Sequence, residues 1–383
     1  MENRGISSPH SGSGELKICL IFLYLSNFLS QKLSEDTFGF VPQIVQGKST
    51  KVYGNYTLEV LKRKIAEFAP VTVTTDISGI TETEKKVLDL LINAAKYMNP
   101  IFNRQMFRWY NETREKLSQD GSELAKAQLE FFDIMRGPWD RQEEEKPFAV
   151  EYERPLGAGG YPINMTKEAF ESYIANHPEE KENFDNLVTI VLQKGDKLVA
   201  NNYSYFFQEY LRPAHNNMIA AAALTENQSL KTFLQSRAKA FLSNDYFQSD
   251  KDWMDLDSRI EITIGPYETY QDKLMALKAS FEAFVTVTDP VESEKLSKYK
   301  SLLPEMEQNL PIPDDMKTER GSESPIRVVD LVYSSGEARK AVQTLAFNLP
   351  NDERVRKEKG AKKVMLKNLI TAKFESIMKP IAR

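Results

Sequence analysis

Three features of the sequence predict an α+β fold: amphipathic helical runs in the first half, a β-hairpin pattern at 187–200, and a strand-turn-helix-strand unit at 257–289 around which the rest is organised. In that unit Ile260, Ile262 and Ile264 alternate with Arg259, Glu261 and Thr263. The period of two buries one face and leaves a charged and hydroxyl face open. Gly265-Pro266 stops the strand, helix formers from about Tyr270 to Ala279 predict a helix, and Phe281, Phe284, Val285 and Val287 return the chain to a β-branched, aromatic pattern.

The helical elements come next in the argument. Over 58–68 and 82–98 apolar residues recur at three- and four-residue steps, in the second case at Val87, Leu90, Leu91, Ala94, Ala95 and Met98. Thr81 and Glu84 have the spacing of a capping box at the start of that helix. Further helices are predicted over 124–135, 165–173, 203–224, 229–242 and 365–377, with Pro213 kinking or dividing the third. The segment 187–200 carries β-branched runs about Gly195-Asp196, and 326–333 and 342–348 read as later strands. GAGGYP at 157–162 lacks the spacing of a dinucleotide fingerprint and reads as a flexible turn. Trp139 in GPWDR is expected to plug a core edge, and 304–324, rich in Pro and charge, to form a long surface connection.

With 383 residues and 41% hydrophobic side chains the chain has the composition of a packed globular protein. Fifty basic against 55 acidic residues give a net charge of −5, interspersed along the chain, which speaks against a nucleic-acid partner. The single cysteine, Cys19, cannot form an internal disulfide, and the three histidines, His10, His177 and His215, do not stand in zinc-helix spacing. The first 50 residues read as a disordered or leader-like extension. Their apolar run at 18–29 is too short to span a bilayer and fits either a secretory leader or a buried segment. A cytoplasmic location is expected, the alternative being secretion or a periplasmic location through that run. Sequons at Asn55, Asn111, Asn164, Asn202 and Asn227 would permit glycosylation on a secretory route.

The polar groups best placed for chemistry are Glu261 and Thr263 on the strand, and Asn348 and Asn351 in FNLPND. An exposed strand edge pairs with an extended peptide through main-chain hydrogen bonds, and a carboxylate beside amide oxygens can hold the peptide's ammonium end. The plainer reading makes Glu261 a solvated strand residue and the two asparagines turn and helix caps.

The order of several separated segments resembles the dipeptidyl-peptidase III family of zinc metallopeptidases, including the related region of plant Nudix-fused proteins. These segments are GPWDR with KPF, GAGGYPINMT, the run from FLSNDYFQSDKDW through DSRIEITIGPYETYQDKLMALKASFEAF, LPEMEQNLP, and AFNLPNDERVRKEKGAKKVMLKN. The resemblance implies a two-lobed, mostly helical fold with an antiparallel β-barrel-like core, and a helical zinc lobe that is incomplete here. It divides the chain into an extension at 1–50, a helical and β-core substrate-binding region at 51–350, and the start of the catalytic lobe at 351–383. It also implies that the strand at 259–265 receives a short peptide as an added strand, and that substrate recognition falls on Glu261, Asn348 and Asn351. Thr263 stands where well-studied eukaryotic members carry a transition-state tyrosine, and a threonine does not reach as far.

The family's zinc motif follows the segments matched here and does not occur in these 383 residues. Zinc is therefore expected in the full-length family, with none bound by this chain and no catalytic or metal residues in it. The expected function is substrate binding within a dipeptide-releasing zinc hydrolase, the chain itself being inactive. The alternative is a non-catalytic peptide-binding protein derived from that family. A membrane span is not expected.

Overall fold

A computed structural model describes residues 15–19, 56–68, 70–300, 302–317 and 326–382. The extension at 1–50 and its apolar run lie outside the described residues except for β1 (Glu15–Cys19), which pairs antiparallel with β2 (Thr72–Asp76). The helices of the first part are α1 (Leu58–Ala66), α2 (Glu82–Lys96), α3 (Met98–Met106), α4 (Tyr110–Asp120) and α5 (Glu123–Met135). Their starts are chemically marked. Thr57 and Ser122 accept from Val60 and Ala125 amides, and at α2 both arms of the Thr81–Glu84 capping box are present. The short strands β3 (Trp139–Asp140) and β4 (Lys146–Pro147) close one hairpin, with Trp139 buried as expected.

After α6 (Lys167–Asn176) and α7 (Lys181–Asp185) comes the central hairpin, β5 (Thr189–Lys194) with β6 (Lys197–Asn202). The helical region that follows is divided at Phe207, giving α8 (Tyr203–Phe206) and α9 (Gln208–Leu224), while Pro213 lies inside α9. Next stand α10 (Gln228–Ser243) and α11 (Phe247–Met254). The dominant core packs α2, α3, α9 and α10 against a five-stranded sheet. A second core gathers α1, α4 and α5 around Phe131, Phe132 and Phe148. Among the described residues no helix is long and apolar enough to cross a membrane.

That sheet consists of β7 (Ile260–Glu268), β8 (Ser280–Thr288), β9 (Ile326–Gly336), β10 (Ala346–Leu349) and β11 (Lys362–Leu366), in the order β10-β11-β9-β8-β7. Three corrections to the sequence reading belong here. The strand does not stop at Gly265-Pro266 but runs to Glu268 with a bulge, since Pro266 sits on an edge strand where its missing N–H is tolerated. Residues 270–279 form no helix: the Asp272 carboxylate accepts from the amides of Leu274, Met275, Leu277 and Lys278 and winds the chain into a loop. The sheet is mixed, because the chain crosses back through α14 (Glu353–Lys359) and lays β11 parallel to β9.

Between β8 and β9 the chain forms α12 (Pro290–Lys300) and α13 (Leu303–Gln308), so the expected surface connection is partly helical. Residues 318–325 of that connection lie outside the described residues. Beyond β11 it turns into α15 (Lys367–Lys373), whose Leu369 is buried while Phe374 just after it is 49% exposed.

The sheet curls strongly. Strands β8 and β10 are three steps apart, about 14 Å in a flat sheet, yet Phe284 stacks on Phe347 with centroids 4.7 Å apart. Lys362 of β11 likewise reaches Glu261 of β7. This is the barrel-like core. No ladder among the described residues joins β7 to β10.

Candidate functional site

The concave face of the curled sheet carries the polar side chains of the region. Cross-strand partners share a face, so Glu261 with Thr286, Thr263 with Phe284, and Phe284 with Ser334 line it together. The opposite face is the apolar core beneath Ile260, Ile262 and Ile264.

Glu261 and Thr263 are each 1% exposed, so the open charged face expected of this strand is instead a second buried face. The reason is a partner distant in sequence. Lys362, itself fully buried, places Nζ 3.2 Å from Glu261 Oε1 and 4.4 Å from the centroid of the Trp253 ring. Among the described residues Glu261 Oε2 makes no well-formed hydrogen bond, with the Trp253 indole beside the carboxylate. Burial raises the Glu261 pKa against the opposing pull of Lys362, and burial lowers that of Lys362.

Strand β7 is an edge strand, as a docking edge requires, but part of its outward side is already engaged. The Thr288 N–H donates to Arg259 O, so the backbone groups of residues 260, 262 and 264 point away from β8. Ser258 Oγ accepts from the Ile260 N–H, and Ile264 O accepts from Arg237 Nη1 and the Tyr267 hydroxyl. Arg237, 0% exposed, is held in turn by Ser249 and Asp250 of α11. Helices α10 and α11, through Arg237, thus take up the Ile264 end of this edge, which weighs against the expectation that the strand at 259–265 receives a peptide.

Among the described residues the other edge is open. Leu366 N–H donates to Leu345 O, which turns the backbone of residues 347 and 349 toward β11 and that of Ala346 and Asn348 outward. Ala346 and Asn348 are both exposed. Asn351, also exposed, donates from Nδ2 to Tyr267 O at 3.0 Å and to Glu268 Oε2 at 3.4 Å, tying the end of β10 to the end of β7. Two of the four candidates, Asn348 and Asn351, therefore stand on the open edge. The other two, Glu261 and Thr263, lie on the buried concave face, and no hydrogen bond among the described residues joins Glu261 to either asparagine.

Sequence reasoning missed Lys362 and Arg237. The first had a usable signal, since in KKVML the lysine alternates in register with the apolar Val364 and Leu366. Arg237 sits in an ordinary amphipathic helix and had none.

The described residues do not fit a zinc ion. His177 and His215 each turn Nδ1 to a backbone carbonyl of their own surroundings, Tyr173 O and Ala238 O, and no group of three metal-binding side chains converges among the described residues. His10 lies outside them.

A family model described as Peptidase family M49 matches residues 163–381. Nudix hydrolase 3 of Arabidopsis thaliana is 33% identical over 418 aligned positions that cover 93% of this chain and 54% of the plant protein. The structure of DPP III from Caldithrix abyssi superposes with a TM-score of 0.80 at 50% identity, covering 84% of this chain and 62% of that one. Dipeptidyl-peptidase III from Corallococcus sp. strain EGB gives a TM-score of 0.80 at 42% identity, with 85% and 62% covered. The chain thus spans about half the length of the plant relative and under two thirds of either bacterial chain.

Proposed function

The chain belongs to peptidase family M49, and from that premise we propose that it binds short peptides along the open edge of β10. The observation that carries this reading is the outward-facing backbone of Ala346 and Asn348, both exposed residues, flanked by Asn351. An extended peptide adds to such an edge through main-chain hydrogen bonds, and the asparagine amides supply side-chain contacts. Glu261 and Thr263 line the concave face behind that edge. Glu261 retains one carboxylate oxygen for an ammonium group while Lys362 holds the other.

In this reading the chain binds and does not cut, because its 383 residues contain no His-Glu zinc helix to supply an activated water. Joined to the remaining length of its relatives, the same edge would present a peptide's amino end for removal of a dipeptide.

Calorimetric titration with tetraalanine tests the docking. Asn348→Pro removes the outward N–H and should weaken binding about tenfold or more, the loss of one to two main-chain hydrogen bonds. Amides at Ala346 and Asn348 should gain exchange protection on binding. Undiminished binding by the proline variant would overturn the assignment, and dipeptide release by this chain with added zinc would overturn its inactivity.

A further inference from the structure

Lys362 links the docking strand to Glu261. On β11 it is the cross-strand partner of Leu349, the last residue of β10, while its side chain crosses the curl of the sheet to the carboxylate on β7. Its ammonium meets Glu261 Oε1 at 3.2 Å, Leu256 O at 3.4 Å and the Trp253 ring at 4.4 Å from the centroid, as many contacts as it has N–H donors. The lysine is thereby fixed, and the carboxylate with it. Oε1 is taken by Nζ, whereas Oε2, equally buried, is left without a well-formed hydrogen bond among the described residues. The Trp253 indole N–H beside the carboxylate is likewise without a well-formed partner among them.

The other groups facing the pair show what the lysine does for its charge. From β9 comes Arg327, whose guanidinium is tied to the Asp257 carboxylate at 2.8 Å. Asp257 is in turn the second carboxylate acting on Lys362. From β8 comes the Thr286 hydroxyl, which donates to Glu261 O and not to the side chain. Without Lys362 the carboxylate would lie in a dry interior with no cation in contact, and such a group takes up a proton. The same sheet contains a carboxylate of that kind. Glu282 on β8 is 3% exposed with no cation at ion-pair distance among the described residues. Burial pushes its carboxyl well above the ordinary range, and Glu337 and Glu268 add to the rise against Lys340.

We propose that Lys362 is a positioning residue for ligand binding: by holding Glu261 Oε1 it keeps the carboxylate ionised and turned so that Oε2 is left for a ligand's primary ammonium group. The role rests on the peptide-binding reading for its ligand and adds a dependence on charge to it. Peptides with a free amino end gain from Glu261 only while Lys362 keeps it ionised. Peptides with a blocked amino end are indifferent to Lys362, since they dock through main-chain hydrogen bonds alone.

The test uses the whole chain, with glutamate labelled at the δ-carbon and lysine at Nζ, the Glu261 signal being identified by its loss in Glu261→Gln. In the wild type near neutral pH Glu261 should show a carboxylate signal and Lys362 an ammonium signal, and n-butylammonium chloride should move the first. In Lys362→Met the Glu261 signal should titrate at higher pH than in the wild type. At pH 6 this variant should bind butylammonium and tetraalanine at least about tenfold more weakly, the loss of a charged acceptor. The gap should close as pH rises and Glu261 gives up its proton. Lys362→Arg, which keeps a cation at this place, should recover most of the loss. N-acetyl-tetraalanine should bind wild type and Lys362→Met alike at every pH, whereas a merely structural lysine would weaken both peptides together.

A neutral amine and carboxylic acid in the wild type, an unshifted Glu261 titration in Lys362→Met, or an equal loss for the acetylated peptide would overturn the proposal. The first of these measurements needs no variant and decides the matter if Lys362→Met fails to fold. If butylammonium binds as expected while tetraalanine does not, docking on β10 falls and the role of Lys362 stands. If tetraalanine protects Ala346 and Asn348 equally well at pH 6 in wild type and Lys362→Met, docking stands and the role of Lys362 falls.

Discussion

Replacing Lys362 by methionine asks how far Glu261 is a structural carboxylate. The two side chains are 0% and 1% exposed, with Nζ 3.2 Å from Oε1. At an effective dielectric constant of about 20, the attraction across that gap is about 5 kcal/mol. Desolvation opposes it, which is why burial moves both groups toward their neutral forms. Methionine keeps much of the lysine's volume and its contact with Trp253 but strands the carboxylate in a dry interior. Breaking one side of such a pair costs about 3–5 kcal/mol. Adding Glu261→Gln removes the stranded charge, so the double variant should recover to within about 1–2 kcal/mol of wild type. Urea denaturation followed by tryptophan fluorescence and circular dichroism measures all three. A single-variant loss below about 1 kcal/mol, or a double variant no better than the single, would refute the reasoning.

Further outcomes follow from local geometry and ionisation. Thr81→Ala removes one arm of the α2 capping box, the Thr81 Oγ1 acceptor for the Glu84 N–H, while the backbone N–H of residue 81 can still donate to Glu84, and should cost about 1 kcal/mol, read as a lowered urea midpoint at constant slope. Gly159→Ala would place a Cβ 2.2 Å from the Arg104 carbonyl oxygen and should cost about 1–3 kcal/mol or more. A wild-type melting temperature in that variant would contradict the close approach. For Glu282 the folded pKa lies above the unfolded one, so the folded state binds the extra proton. Its contribution is complete below the unfolded carboxylate range and is lost as pH rises through the folded pKa. Glu282→Gln should therefore gain stability relative to wild type as pH is raised from about 4.5, and a difference that stays flat or reverses sign across the titration would disprove it.

Much of the architecture was legible because it depends on neighbours in sequence. The α2 capping box, the hairpin about Gly195-Asp196 and the alternation of Ile260, Ile262 and Ile264 are local signals, and each formed as expected. What could not be read depends on partners far along the chain. The second face of β7 is buried where Lys362, 101 residues on, meets Glu261, and the Ile264 end of its edge is engaged by Arg237, 27 residues earlier. The helical composition of 270–279 lost to one short side chain, since the Asp272 carboxylate offers the backbone a competing set of hydrogen bonds. GAGGYP reads as a flexible turn, yet Gly159 packs against α3 with its amide 2.7 Å from Gln105 O. Asn348 and Asn351 stood out in the sequence as polar groups in FNLPND, whereas their position at a sheet edge depends on β11 lying between β10 and the rest of the sheet, a pairing of distant segments.

The unequal edges of the curled sheet also bear on how this protein avoids its own kind. A long bare strand is a template for aggregation, and β7, with nine residues, would be one. Arg237, on α10 and held by α11, obstructs that route at Ile264. The edge left bare, β10, has four residues and runs into Pro350, which offers no N–H to extend a ladder. Such a stub is too short to hold another copy of the sheet with any permanence, while a small peptide with side-chain anchors on the adjoining asparagines has a footprint of matching size. On the proposed docking, the brevity of β10 both disfavours pairing with a second sheet edge and suits a short ligand.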